Sequence, residues 1–202
     1  MAIKFKNIDD SEPYRLFHEK YKFAQKKDQK NIDALCISSY NTIKKEVSSR
    51  YVNLKYINKD NWVFFTNYNS PKSNDFLSHE QISAVFFWNK SNIQIRMKAK
   101  VKKISEKESD IHFMGRSTEK NALAISSNQS AEISSFQDIK SNYEHTLKNL
   151  LKEDEVARPN SWGGFSFKPY YFEFWEGSDF RLNNRVAYSY DSSNWKASFL
   201  AP

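Results

Sequence analysis

An alternation of polar and apolar residues, unbroken over 92–102 of the segment 92–104, is the feature that most constrains how this chain folds. Its polar face carries Gln94, Arg96, Lys98, Lys100 and Lys102. Successive side chains of a β-strand point to opposite faces of the sheet. The segment is therefore predicted to be a strand with one face towards solvent and the other towards a core.

Short segments of similar character recur along the chain between turn-forming residues. Besides 92–104, strands are predicted at 34–40, 49–56, 61–67, 82–88, 164–175, 180–190 and 194–199. Polar turn signals separate several of them, such as those at 58–61 and 89–91. Helices are predicted at 12–29, at 71–79 and, two or three times, within 106–152.

These elements predict a mainly β fold with peripheral helices, an α+β barrel formed by a single domain over residues 1–202. Many short antiparallel strands with inserted helices are typical of barrels. A chain of 202 residues can bury a substantial core, and an aromatic share of 16% argues against disorder. The one cysteine, Cys36, excludes an internal disulfide framework and is expected to be a buried thiol, because it lies in an apolar run.

The formal net charge of +7 indicates an affinity for anions without naming one. Nucleic acid is one candidate, and the lysine-rich face of 92–104 is where it would bind. No helix-turn-helix, RNP-type or zinc-finger pattern supports that interpretation, and a solvated strand face is the commoner arrangement. The four histidines are separated from one another and from Cys36, so no metal site is expected.

No membrane partner is expected either. The first residues lack an apolar stretch long enough for a signal peptide. No later segment of the sequence is long and apolar enough to cross a membrane. We therefore predict a cytoplasmic location.

The segment 174–185 combines a tryptophan with two arginines. It is predicted to be a strand that ends in a Gly-Ser-Asp turn, followed by a second strand that carries Arg181 and Arg185. Guanidinium groups suit anionic or planar ligands, and Trp175 places an aromatic ring beside them. Taken alone, an amphipathic hairpin with solvated arginines is the commoner arrangement.

The segment 65–72 is predicted to end a strand and begin a helix. Ser70 is placed to cap that helix, and Pro71 suits its first turn. Lys72 then lies beside the unpaired N–H groups of the helix start, where the helix dipole also favours negative charge. The pattern is compatible with a phosphate site. Taken alone, an ordinary capped surface helix is the commoner arrangement.

Together these motifs resemble the pyridoxamine 5'-phosphate oxidase family, FMN-dependent enzymes that oxidise pyridoxine or pyridoxamine phosphate to pyridoxal phosphate. The C-terminal signature of the family is a Trp, an Arg, a His and a final Arg. Trp175, Arg181 and Arg185 fit it, and Asn183 stands at the His position. The resemblance implies an FMN-binding split barrel. It also covers the segments 50–55, 161–165 and 200–202.

The resemblance implies a set of FMN contacts. Arg50 and Lys72 match the residues that hold the FMN phosphate, although Pro71 stands where the family usually has an arginine. Phe65 stands where a Tyr is common. The other positions that match flavin contacts are Tyr51, Val52, Asn53, Leu54, Lys55, Thr66, Ser70, Gln94, Gln129, Ser130, Trp175 and Arg185.

The resemblance also implies a site for the phosphate of the substrate. Lys55 and Arg116 match the family, while His112 and Lys120 stand at the positions of a Tyr and a Ser. His112, Arg116 and Lys120 lie four residues apart, so they share one face if 111–120 is helical. A solvated basic helix is the alternative.

Arg181 and Asn183 are the implied catalytic residues, because their equivalents in the family face the substrate ring opposite the flavin. An asparagine can donate and accept hydrogen bonds, but unlike histidine it cannot titrate near neutral pH. A chain with Asn183 must therefore do without proton transfer at this position. The substrate site departs from the family more than the cofactor site does.

The sequence thus predicts an FMN-dependent oxidase of a phosphorylated B6 vitamer, with O2 as acceptor, that forms a homodimer with FMN at the subunit interface. A second hypothesis keeps the flavin and changes the substrate, as in the oxidases of phenazine biosynthesis. The departures at His112, Lys120 and Asn183 are where such a change would occur. A non-enzymatic flavin-binding or nucleic-acid-binding protein is the hypothesis from a different class.

Overall fold

Six strands of one sheet close into a barrel. The computed structural model describes residues 2–153 and 155–202. Within them, the strands are β1 (Lys4–Ile8), β2 (Ala34–Asn41), β3 (Glu46–Lys59), β4 (Asn61–Asn67), β5 (Gln81–Trp88), β6 (Ile93–Lys103), β7 (Trp162–Glu176), β8 (Asn184–Asp191) and β9 (Asn194–Phe199). Neighbouring strands run in the order β3, β2, β5, β6, β7 and β4, and β4 returns to β3. The predicted barrel is therefore confirmed.

The remaining strands extend the sheet beyond the barrel. β1 pairs in parallel with β3, while β8 and β9 continue from β7. The long strand β7 belongs to both parts, because residues 162–167 pair with β4 and residues 171–176 pair with β8. β7 therefore connects the part of the barrel beside β4 with the extension formed by β8 and β9.

Five helices lie around the barrel in the described part of the chain. They are α1 (Glu12–Lys26), α2 (Pro71–Ser78), α3 (Glu106–Met114), α4 (Thr118–Ser126) and α5 (Phe136–Leu150). The last three form the helical insert predicted at 106–152. The predicted helix 12–29 ends at Lys26 instead, because Asp28 has a φ of 52°, which is incompatible with a right-handed helix.

An aromatic cluster joins α1 to the barrel. Phe17 is 1% exposed, and the centroid of its ring lies 4.4 Å from that of Trp62, 5.5 Å from Phe86 and 5.7 Å from Trp88. Edge and tilted contacts at such distances are favourable for aromatic pairs. The buried residues of α1, which include Tyr14, Phe17, Tyr21 and Ala24, thus form the face that covers the core.

The alternation of 92–104 has the predicted outcome. In β6 the apolar positions are buried and Arg96, Lys98, Lys100 and Lys102 are exposed.

Cys36 differs from expectation, because its side chain is only half-buried on β2. No helix of the described residues is both long and apolar enough to cross a membrane.

Candidate functional site

A cavity of about 400 Å³ opens between β3, β4 and the start of α2. The cavity is where most of the predicted FMN contacts meet. Leu54 differs, because its side chain is fully buried in the core and does not line the cavity. The lining residues are Arg50, Tyr51, Val52, Asn53, Phe65, Thr66, Pro71, Lys72, Gln129 and Ser130.

Lys72 is a buried cation in the wall of this cavity. Only 6% of it is exposed, and its Nζ donates to Ser70 Oγ at 3.0 Å and to Gln129 Oε1 at 3.4 Å. Neither partner is charged, and no carboxylate of the described residues forms an ion pair with it. Burial and the neighbouring Arg50 lower the pKa of Lys72 to about 8. An anion in the cavity would supply the missing counter-charge.

The start of α2 also faces the cavity. Ser70 and Pro71 occupy the predicted N-cap and first helical positions. The Ser70 hydroxyl does not cap the helix, however; it donates to the carbonyl of Asn67 at 2.7 Å. The helix start therefore keeps N–H groups without a side-chain cap beside Lys72.

Arg50 is held in place by a buried carboxylate that it does not touch. Its Nη1 donates to Ser39 Oγ at 2.6 Å, and Ser39 Oγ donates to Asp75 Oδ2 at 2.7 Å. Asn41 donates to the other oxygen of Asp75 at 2.8 Å. This network fixes the guanidinium at the cavity, and no carboxylate of residues 2–153 or 155–202 pairs with it directly.

Gln129 brings a distant loop to the same place. Its Oε1 accepts hydrogen bonds from Thr66 Oγ1 at 3.0 Å, from the Asn67 backbone N–H at 3.3 Å and from Lys72. Three donors from β4 and α2 thus converge on one oxygen atom. Converging donors of this kind, beside two cations, fit a phosphate group.

Phe65 connects the cavity to a second group of predicted residues. Its ring stacks on the imidazole of His112, with centroids 3.7 Å apart and planes inclined by 7°. The Trp162 ring is nearly parallel to both, with its centroid 5.2 Å from that of Phe65 at an angle of 11° and 6.2 Å from that of His112. Gly164 permits this arrangement, because a Cβ there would lie 2.9 Å from Phe65 Cε1.

The four predicted substrate residues converge beside this stack. Arg116 lies over the Trp162 ring at 4.4 Å and donates to the carbonyl of Lys120 at 2.7 Å. Its Nη1 is buried without a partner among the described residues. Burial, Arg116 and Lys55 lower the pKa of His112 to about 4, so His112 is neutral at pH 7.

Lys55 is the fourth member, on β3. Its Nζ lies 3.6 Å from Asp33 Oδ2. Burial lowers its pKa, Asp33 opposes that effect, and the charges of Lys120 and Arg116 add to it. The group therefore carries three cations near one carboxylate, which favours an anionic ligand.

Residues 111–120 do not form one continuous helix. α3 ends at Met114, Gly115 follows, and α4 begins at Thr118 after the N-cap Ser117. Glycine disfavours continuation of a helix, and serine favours a new start. The predicted residues still meet, because the turn between the two helices brings them together.

The other predicted flavin contacts form a row on a different part of the sheet. Gln94 on β6 pairs with Trp175 on β7, which pairs with Arg185 on β8. None of the three lines the cavity. On β7, Trp175 lies eleven positions after Gly164, the partner of Phe65. At about 3.3 Å per residue, the row lies roughly 36 Å along the strand from the cavity.

Arg181 does not lie on a strand as expected. It ends a 3-10 turn, Asp179–Arg181, in which Phe180 and Arg181 have φ of 62° and 61°. β8 begins only at Asn184, because this left-handed backbone cannot continue a strand. Asn183 Oδ1 accepts a hydrogen bond from the Ser178 N–H at 3.2 Å, and the exposed Arg181 lies near the end of the row.

Two family models match the chain. One, described as pyridoxamine 5'-phosphate oxidase, covers residues 24–149, and the other, described as the C-terminal dimerisation region of pyridoxine 5'-phosphate oxidase, covers residues 162–202. The chain belongs to the pyridoxamine 5'-phosphate oxidase family. A pyridoxine/pyridoxamine 5'-phosphate oxidase of Leptospira biflexa serovar Patoc is 34% identical over 95% of this chain and 89% of the relative. A chloroplastic relative from Arabidopsis thaliana is 36% identical over 84% of this chain and 33% of its own length.

Two solved structures have a similar fold over nearly all of the chain. PhzG from Burkholderia lata 383, in complex with tetrahydrophenazine-1-carboxylic acid, is 26% identical with a TM-score of 0.89, covering 95% of this chain and 93% of that one. An FMN-binding protein related to pyridoxamine 5'-phosphate oxidase, from Nostoc punctiforme PCC 73102, is 12% identical with a TM-score of 0.78, covering 96% and 99%. The barrel is thus the FMN-binding split barrel of this family.

FMN is the cofactor of this oxidase family member, and the residues present fit it. Lys72 lacks a counter-charge, and the donors around Gln129 converge where a phosphate would bind. The dimerisation region at 162–202 also identifies the chain as a homodimer. Among the described residues, no three side chains are grouped so that they could hold a metal ion.

Several residues of these groups escaped sequence reasoning. Trp162 stacks beside Phe65, Asp75 anchors Arg50 through Ser39, and Glu173 pairs with Arg185. Trp162 alone had a signal, since it lies in the segment 161–165 that carries the family resemblance. The two carboxylates had none, because their partners lie on other elements.

Proposed function

We propose that the chain oxidises pyridoxine 5'-phosphate or pyridoxamine 5'-phosphate to pyridoxal 5'-phosphate, with O2 as acceptor. The observation that carries the proposal is the cationic group of Lys55, Arg116 and Lys120 beside Phe65 of the cofactor cavity. A phosphate bound by this group would hold a small aromatic substrate next to the flavin. The names of the curated relatives support the same substrate class.

The residues of the chain act by binding and orientation. Arg50, Lys72 and the start of α2 would hold the FMN phosphate, and FMN would supply the acceptor for a hydride from the substrate. Arg116 and Lys120 would hold the substrate phosphate, while neutral His112 donates one N–H to it. Fixing both molecules in this way favours the reaction by proximity.

We propose further that FMN lies at the interface of the homodimer. The cavity and the row of Gln94, Trp175 and Arg185 are too far apart along β7 to contact one FMN in the same chain. A second copy can bring its own row to the cavity, with Arg181 and Asn183 over the substrate ring. Each active site would then contain residues of both copies.

A second candidate keeps the cofactor and changes the substrate. The structure of PhzG contains a tetrahydrophenazine carboxylic acid, and its fold covers nearly all of this chain. His112, Lys120 and Asn183 stand where the family has other residues, so a carboxylate ligand is an alternative to a phosphate. A non-enzymatic flavin-binding protein is the third candidate.

Analysis of the bound chromophore followed by turnover assays tests these candidates. The purified protein should be yellow, and heat should release FMN rather than FAD, identified by chromatography. Oxygen consumption with both B6 phosphates should exceed that with free pyridoxine or with a reduced phenazine carboxylic acid. Turnover of the phenazine alone would establish the second candidate, and bound FMN without turnover would favour the third.

The other expectations from the sequence remain predictions. They are a single domain over 1–202, a cytoplasmic location, and no nucleic-acid or membrane partner. Nucleic acid that still copurifies with the protein after nuclease treatment would contradict the prediction of no nucleic-acid partner.

A further inference from the structure

Glu173 is a buried carboxylate at the centre of the outer face that carries the row. Only 3% of the residue is exposed. Its Oε1 accepts a hydrogen bond from Arg185 Nη2 at 2.8 Å. Its Oε2 accepts from Arg96 Nη1 at 3.0 Å and from the Tyr171 hydroxyl at 3.1 Å. Both oxygens are therefore used, and β6, β7 and β8 each contribute to the network.

The guanidinium of Arg185 is fixed on two sides. Besides Glu173, its Nη1 donates to the carbonyl of Ala201 at 2.7 Å. The backbone of the same residue accepts a hydrogen bond from the Leu200 N–H at 3.0 Å, so the C-terminal end is anchored to Arg185. Its Nε is buried and has no partner among the described residues. A buried donor without a partner is costly unless a ligand satisfies it.

We propose that Glu173 and the carbonyl of Ala201 are positioning groups that orient Arg185 towards the cofactor bound at the subunit interface. The inference rests on the proposed location of FMN between the two copies. Neither group contacts the cofactor in this proposal. They fix which edge of the guanidinium, Nε with one Nη, is presented to the ligand.

A purely electrostatic role of Glu173 and a positioning role predict opposite effects of removing its charge on FMN affinity. FMN is an anion, so removing a negative charge near its site should strengthen binding if Glu173 has no other role. If Glu173 orients Arg185, removing its charge should weaken binding, because a freely rotating arginine loses side-chain entropy when it binds. Burial alone would raise the pKa of Glu173, but Arg185 and Arg96 hold it below its ordinary value, so the carboxylate is charged at neutral pH.

The main experiment measures FMN affinity by flavin fluorescence in the wild-type dimer and in Glu173→Gln. A glutamine has one acceptor oxygen where two arginines and a tyrosine need acceptors. We expect about tenfold weaker FMN binding, since charge-assisted hydrogen bonds are roughly twice as strong as neutral ones. In an Arg185→Ala background, the same substitution should change the affinity by less than about twofold, because Glu173 acts through Arg185.

Asp191→Asn is the matched control. Asp191 lies at the far end of β8 and forms an exposed ion pair with Lys196 at 2.6 Å. Its substitution should leave FMN affinity unchanged. Equal or stronger binding in Glu173→Gln would overturn the proposal. An equal loss with and without Arg185 would also overturn it, since it would mean a general structural role.

Removal of residues 200–202 tests the second positioning group independently. The truncation eliminates the Ala201 carbonyl and the Leu200 hydrogen bond without changing Glu173. It therefore tests the proposal even if the Glu173→Gln variant does not fold. We expect about threefold to tenfold weaker FMN binding. Unchanged affinity in the folded truncated dimer would overturn the proposal. If the wild-type dimer itself binds no FMN, the proposed function fails first and this inference fails with it.

Discussion

Lys72 shows how burial and a like charge alter a single side chain. Its ammonium lies in the cavity wall with only neutral partners, and the pKa is lowered to about 8. A phosphate dianion at the same place would raise the pKa again, since an opposite charge favours the protonated form. With Lys72 as the proposed ligand of the FMN phosphate, cofactor binding and protonation of Lys72 would be linked.

FMN affinity should fall at alkaline pH for this reason. The cofactor phosphate, with a second pKa of about 6, is a dianion throughout the range above pH 7. Above about pH 8 the free protein must take up a proton on binding, so Kd should rise by up to about tenfold per pH unit. Flavin fluorescence titrations between about pH 7 and 9.5 measure this pH dependence of Kd. Lys72→Arg stays charged and should give a flatter profile; an equal slope in both proteins would contradict the prediction.

Arg116→Ala should raise KM much more than it lowers kcat. The guanidinium is proposed to bind the substrate phosphate alike in the ground and transition states, so its loss removes uniform binding. A charge-assisted contact of about 1.5–3 kcal/mol corresponds to roughly a tenfold to hundredfold higher KM for pyridoxine phosphate. Steady-state kinetics measure this effect. Lys107→Ala, an exposed cation on α3, is the control. Similar KM values in the two variants would argue against a phosphate site at Arg116.

At the scale of residues, the sequence predicts which cations belong to the site better than it predicts the side chains that contact them. The Ser-Pro-Lys pattern places Lys72 at a helix start, which is a local property. The convergence of Thr66, Asn67 and Lys72 on Gln129 is not local, because these donors lie 57 to 63 residues from Gln129 along the chain. Glu173 was missed for the same reason.

At the scale of elements, periodicity predicts most strands, and backbone exceptions explain the errors. The segments 61–67 and 194–199 match β4 and β9 throughout. The strand predicted at 180–190 starts late, since two residues before it have positive φ. β1 was not predicted, because five residues form a strand here only through parallel pairing with the distant β3.

Phe17→Ala on α1 should destabilise the fold strongly. Phe17 is fully enclosed by Trp62, Phe86 and Trp88, so its loss creates a cavity. We expect the free energy of unfolding to fall by about 3–5 kcal/mol. Phe23, on the same helix, is 45% exposed, and Phe23→Ala should cost less than about 1 kcal/mol. Urea denaturation of the cofactor-free protein measures both, and comparable losses would contradict the packing described.

At the scale of the molecule, two defective copies should complement each other. Arg50→Ala alters the cavity and Arg185→Ala alters the row, so a mixed dimer keeps one site in which both groups are intact. Random association of equal amounts should restore about a quarter of the wild-type sites. The measurement is oxidase activity after the two proteins are unfolded and refolded together, at an FMN concentration that neither variant alone can use.

A mixture of Arg50→Ala with Lys72→Ala is the control for complementation. Both changes lie in the cavity, so every site in the mixed dimer carries a defect. No recovery in the first mixture despite normal dimer formation would place the cavity and the row in the same copy. Recovery in the control mixture would contradict the placement of Arg50 and Lys72 in one cavity.

The course of β7 limits how a protein of this kind can evolve. Gly164 near its start lies against Phe65, and Trp175 near its end belongs to the row. Inserting one residue between them would reverse the facing of every later side chain, so Glu173 and Trp175 would exchange sides with the core aromatics. Inserting two would restore the facing but shift the hydrogen bonds to β6 and β8 by about 7 Å. In the proposed interface site, new substrate preferences would therefore arise by substitution at positions such as His112, Lys120 and Asn183, while both copies together would fix the length of this strand.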